Sequence, residues 1–100
     1  MAQVAHIRYD GGALLLPAQD PYDREVVFEE AECCARRHGT VGVQLGRKQM
    51  RISPSAADTR VPCPQCRQPV GLMSFLIDRR LLCAHCAKRY MGAVGPASVA

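Results

Sequence analysis

The residues of this chain whose types and spacing can do chemistry are its cysteines. Cys63 and Cys66 form one C-x-x-C pair, Cys83 and Cys86 form a second, and sixteen residues lie between the pairs. Two intervening residues let a tight turn aim both thiolates at one ion, and the longer spacer is enough for a hairpin that returns the second pair to close a tetrahedron. The pattern assigns Cys63, Cys66, Cys83 and Cys86 to one Zn²⁺. Other uses of the same residues compete with this one. A disulfide framework suits an exported chain, but MAQVAHIRYD reaches Arg8 and Asp10 before any apolar core develops and does not read as a secretory signal. A redox C-x-x-C motif is expected as a single pair beside a βαβ pattern, and no such pattern precedes Cys63. Iron fits the same four-thiolate cage, and sequence does not separate it from zinc.

Four thiolates fill a tetrahedral shell and leave no position for a catalytic water, so the expected role of the ion is structural. Binding of this kind contributes on the order of 10–16 kcal/mol in zinc-finger peptides, and it would largely be folding energy for this part of the chain. His85, inside the second pair, is then an exposed or neighbouring histidine and not a ligand. Cys33 and Cys34 are adjacent in an expected helix, where successive side chains point about 100° apart and chelate one ion poorly. Cys34 is expected to pack in the core and Cys33 to be half exposed, and His6 and His38 have no ligand partners nearby. Cys34 and His38, one helical turn apart, are the only conceivable nucleophile–base pair, and such spacing arises easily by chance. No carboxylate pair, Ser-His-Asp spacing or phosphate-binding glycine loop stands out, and the expectation is that the protein is not an enzyme.

Residues 63 to 90 resemble four-cysteine zinc fingers of the zinc-ribbon and treble-clef kind. CPQC…LLCAHCAKRY is similar to the finger of the DksA/TraR family, with Pro69-Val70-Gly71 in the place of that family's Ile/Val-Gly step. LLCAHCAKRYM is similar to the second half of a GATA-type finger. The resemblance implies a knuckle, a hairpin, a second knuckle and a helix around one zinc. Many such knuckles carry glycine just after the second cysteine, where this sequence has Arg67 and Ala87.

The elements that must position these cysteines can be read along the chain. Val4 to Tyr9 alternates as a strand, Asp10-Gly11-Gly12 supplies a turn, and Ala13 to Leu16 returns as its partner. Asp20-Pro21 opens a helix that ends at Gly39, with Val27, Ala31, Cys34 and Ala35 on one stripe and Phe28 at its edge. Thr40 to Leu45 and Gln49 to Ile52 read as two further strands. The predicted fold class is α+β: a small N-terminal ββαββ unit over 1–52, a linker or loop over 53–60, a four-cysteine zinc ribbon or treble-clef module over 61–94, and a disordered tail over 95–100. Within the module, Ser74 to Ile77 and Arg80 to Leu82 are the expected ribbon strands, and a short helix follows the second knuckle.

Composition narrows the partner. At 100 residues the chain makes one domain or one small domain with an appended module, a size at which a metal often supplements a modest core. No window approaches the roughly 18 apolar residues of a membrane span, and the expected location is the cytoplasm. The net charge of +4 hides an asymmetry. Residues 1–46 carry four arginines against seven acidic residues, a net of −3, whereas residues 47–100 carry nine cations against two aspartates, a net of +7. A basic zinc module is the footprint expected for contacting phosphates. The expected contacts are Arg47, Lys48, Arg79, Arg80, Lys88 and Arg89, and the expected function is to contact nucleic acid or the transcription machinery in a regulatory role. The alternative is a protein–protein adaptor that docks a partner on its acidic helix (Glu25, Glu29, Glu30, Glu32) and its N-terminal sheet, with zinc as a staple.

Overall fold

A computed structural model describes residues 3–54 and 62–93. The chain runs β1 (Val4–Tyr9), β2 (Gly12–Pro17), α1 (Pro21–His38), β3 (Val41–Leu45), β4 (Lys48–Pro54), β5 (Met73–Ile77), β6 (Arg80–Leu82) and α2 (Ala84–Met91). The α+β class expected from the sequence is the class observed. The expected linker begins with Ser53 and Pro54, which belong to β4, and the rest of it lies outside the described residues, as does the expected tail.

The strands do not divide into two units. All pair antiparallel in one six-stranded sheet, in the order β2-β1-β3-β4-β5-β6. The seam between the expected halves is the β4–β5 ladder, where Arg51 faces Leu76, Ile52 faces Phe75 and Ser53 faces Ser74. The cysteine-bearing segment therefore extends the N-terminal sheet by two strands.

Local chemistry explains the individual elements. The β1–β2 turn needs Gly11, whose φ of 104° lies in the left-handed region that other residues avoid. Asp20 caps α1 by accepting a 2.8 Å hydrogen bond from the Asp23 N–H, Pro21 opens the helix, and the Gly39 N–H closes it on the Ala35 carbonyl at 2.9 Å. Arg36, Arg37 and His38 stand in the last turn, where the helix dipole favours cations.

One face of the sheet is buried under the helices. Along the register, Ala5, Ile7, Val41, Val43, Leu45, Met50, Ile52, Phe75, Ile77 and Leu82 share that face and form the core with Val27, Phe28, Ala31 and Ala35 of α1 and Ala87 and Met91 of α2. Phe28, at the edge of that stripe, is fully buried, its ring centroid 5.7 Å from that of Phe75. Across the α1–α2 contact, Lys88 Nζ donates to Glu25 Oε1 at 2.9 Å, with Glu25 Oε2 buried and without a partner among the described residues. Among the described residues no helix lies over the opposite face of the sheet. His6, Arg8, Gln44, Gln49 and Arg51 project there, exposed.

Candidate metal centre

The first two cysteines sit on a short knuckle. Pro62 and Pro69 form an isolated antiparallel bridge, the Cys63 N–H bonds the Gln68 carbonyl at 2.8 Å, and the Arg67 N–H bonds the Cys63 carbonyl at 2.7 Å. This tight return requires Arg67 to adopt a φ of 67°, a conformation that glycine adopts without strain. The glycine common in such knuckles thus has a backbone reason, and this chain meets it with arginine. No such demand falls on Ala87, which is a buried residue inside α2.

The second pair opens α2. Cys83 is the N-cap residue in extended conformation, its carbonyl accepts from the Ala87 N–H at 3.0 Å, and Cys86 lies in the first turn. A helix N-terminus favours negative charge and so favours thiolates there. Between the pairs, β5 and β6 form the hairpin that the spacing calls for. Its two-residue turn, Asp78-Arg79, has φ of 49° and 66°, the signature of a primed turn that matches the strand twist.

These elements bring the four Sγ atoms within 4.8 Å of one another. Cys66 and Cys83 are 3.6 Å apart at sulfur, close to the roughly 3.8 Å edge of a tetrahedron with metal–sulfur bonds of about 2.3 Å. Cys63, Cys83 and Cys86 are buried and Cys66 is half-buried, so the cluster is part of the core and not an appendage to it.

The electrostatics favour a cation at the centre of the cluster. Burial pushes the Cys63 thiol up, but the N–H groups of Cys83, Cys66 and Gln65 outweigh it and lower the pKa to about 6. Cys83 and Cys86 are both raised, first by burial, and Cys86 further by the sulfurs of Cys66, Cys83 and Cys63. One thiolate forms readily and then opposes the next. A divalent ion removes that opposition. The four cysteines are thus compatible with one metal ion.

The remaining expected site residues fall into distinct places. His85 is exposed. Cys33 and Cys34 are half-buried on α1, and the Cys34 thiol is raised by burial and by Cys33 and Glu30. The His38 ring stacks on Tyr9 at 4.6 Å. Among the six expected contact residues, Lys88 turns inward to Glu25, and Lys48 Nζ donates to the Tyr90 carbonyl at 2.8 Å with the Tyr90 ring beneath it. The other four are exposed and have no ion pair among the described residues. The β4–β5 register sets the Gly46-Arg47 turn beside the Asp78-Arg79 turn, so that Arg47, Lys48, Arg79 and Arg80 gather at the end of the sheet where α2 finishes. No spacing in the sequence foretold that gathering, because the two turns lie 31 residues apart between Arg47 and Asp78.

Compared with models of protein families, with curated proteins and with solved structures, the chain matches none. The fold and the site define the class: an α+β protein with a four-cysteine cluster built into the core of one antiparallel sheet. Among the described residues no helix is long and apolar enough to cross a membrane.

Proposed function

We propose that this is a small zinc-binding protein whose metal is structural and whose basic sheet end contacts nucleic acid, in a regulatory step such as transcription. The ion is zinc because four thiolates at tetrahedral spacing are its usual structural shell, and the site belongs to a reducing compartment such as the cytoplasm. The order of knuckle, hairpin and helix around the four ligands favours the treble-clef over the zinc-ribbon form of that module. With every coordination position filled by sulfur, the ion has no open position for water or substrate, and the reading is of a protein that acts by binding.

The observation that carries the nucleic-acid reading is the gathering of exposed arginines by the sheet register: Arg47 and Arg79 on adjacent turns, Arg80 beside them, and Arg89 on the last turn of α2. Exposed guanidiniums with no ion pair among the described residues are suited to phosphate oxygens, which they hold in a bidentate way. The same placement sets Lys88 aside, because its ammonium serves the contact between the helices. The adaptor alternative retains less of its acidic helix, since Glu25 pairs with Lys88 and Glu32 lies 3.8 Å from Arg36, which leaves Glu29 and Glu30 exposed beside the N-terminal sheet.

A triple charge reversal, R47E/R80E/R89E, tests the reading. Binding to mixed-sequence duplex DNA and to single-stranded RNA is expected to weaken at least tenfold. The slope of log affinity against log salt is expected to flatten by about 0.9 for each duplex phosphate that the variant no longer neutralises. Unchanged affinity and slope in a folded triple variant would exclude the nucleic-acid reading, and a protein partner retained at high salt after nuclease treatment would move the function to an adaptor.

A further inference from the structure

The open face of the sheet carries a basin of about 550 Å³. Its floor is set by register. Arg8 faces Gly42, and Gly42 faces Arg51, so an Arg–Gly–Arg row crosses three adjacent strands on that face. The midpoint of the row is empty: a Cβ added to Gly42 would meet nothing within 4 Å. With strands about 4.8 Å apart, the two arginine stems rise roughly 10 Å from each other across that gap. The next row is His6, Gln44 and Gln49, Leu76 lies beside Arg51, and the β5–β6 turn closes one rim with Arg79 and Asp78. Three arginines thus face one aspartate, and none of the three has an ion pair among the described residues.

Two guanidinium forks standing on either side of one gap are best served by a guest with oxygens on both sides. A carboxylate presents its two oxygens to one fork, whereas a phosphate presents three or four and accepts both. The basin is also much larger than a bare phosphate and falls in the usual range of about 300–1,000 Å³ for small-molecule sites. Its remaining wall offers imidazole and amide groups suited to hydroxyls and ring nitrogens. We propose that this basin binds a phosphate ester of nucleotide size, its phosphate seated between Arg8 and Arg51 above Gly42. The site goes beyond the basic sheet end of the preceding section and shares only Arg79 with it.

Titration of the full chain with adenosine 5′-monophosphate, followed by amide chemical shifts, tests the site. The nucleotide is expected to shift the amides around Gly42 and Arg51, and adenosine without phosphate to leave them in place. R8Q/R51Q removes both forks. G42V leaves every charge in place and fills the gap with a residue that strands favour. Each is expected to weaken nucleotide binding about tenfold or more, as removal of charged hydrogen bonds or of the space itself predicts. R47E/R80E/R89E, which targets the sheet end, is expected to change it less than about twofold, so the two sites fail or stand separately. Absence of nucleotide binding, equal binding of adenosine, or full binding by G42V would overturn the proposal. Competition by a ten-nucleotide single strand would identify the seated phosphate as that of a nucleic-acid backbone, and lack of competition as that of a free phosphate ester. Either result supports the basin.

Discussion

Replacing Cys83 with serine is expected to abolish metal retention and to melt the whole domain, not only its last forty residues. Serine keeps the N-cap position competent, because its hydroxyl caps a helix well, so the change removes a ligand without removing the helix start. The variant lacks one thiolate of four whose sulfurs lie within 4.8 Å of one another in the core. Structural zinc contributes on the order of 10–16 kcal/mol in finger peptides, as much as the roughly 5–15 kcal/mol that keeps an average domain folded. Since β5 pairs with β4 in the same sheet, loss of the knuckle and of α2 exposes the faces of Ile52 and Phe28 as well. Circular dichroism and metal analysis of C83S, with C33S as control, check this: C33S should keep its metal and its melting temperature. A C83S protein that retains one metal and melts normally would show that the four cysteines do not act as one site.

Truncating Phe75 to alanine is expected to destabilise the protein by about 3–5 kcal/mol, the range for a large aromatic removed from a packed core. Phe75 is 0% exposed, faces Ile52 on one side and Leu82 on the other, and touches Phe28 of α1. It therefore joins the N-terminal strands, the cysteine-bearing hairpin and the long helix at one point. Leu72, 79% exposed just before β5, is the matched control, and L72A should shift stability by no more than about 0.5 kcal/mol. Urea denaturation of F75A is expected to move the midpoint of a single transition. Two separated transitions in the parent protein, only one of them sensitive to F75A, would mean that the sheet does not fold as one unit.

Much of this fold is legible in the sequence because its elements are marked by local chemistry. The Asp20-Pro21 start and Gly39 end of α1, the Asp10-Gly11 turn and the alternation of Val4 to Tyr9 all depend on residues within a few positions of one another. So does the four-cysteine cluster, which is set by two short spacings and a hairpin. The connections between elements are less legible. Alternation shows which residues of a strand share a face but not which strand lies next to it, so the stretch from Ser53 onward reads as a linker, although Ser53 and Pro54 already pair with β5. The Asp78-Arg79 turn, by contrast, is placed by the strand segments on either side of it, although it carries no glycine to announce its positive φ. The two candidate binding regions share that character: the arginines at the sheet end come from turns far apart in the chain, and the basin on the open face depends on Arg8, Gly42 and Arg51 meeting across three strands. Lys88 shows the converse. Its charge reads as a surface contact, yet Glu25, 63 residues away, holds it between the helices.

X-ray absorption at the zinc edge, on protein purified without added metal, tests the central claim most directly. One zinc per chain with four sulfur neighbours at about 2.3 Å is the predicted result. A shell containing nitrogen or oxygen, another metal, or cysteines joined as disulfides with no metal bound would contradict a four-thiolate zinc centre that holds this sheet together.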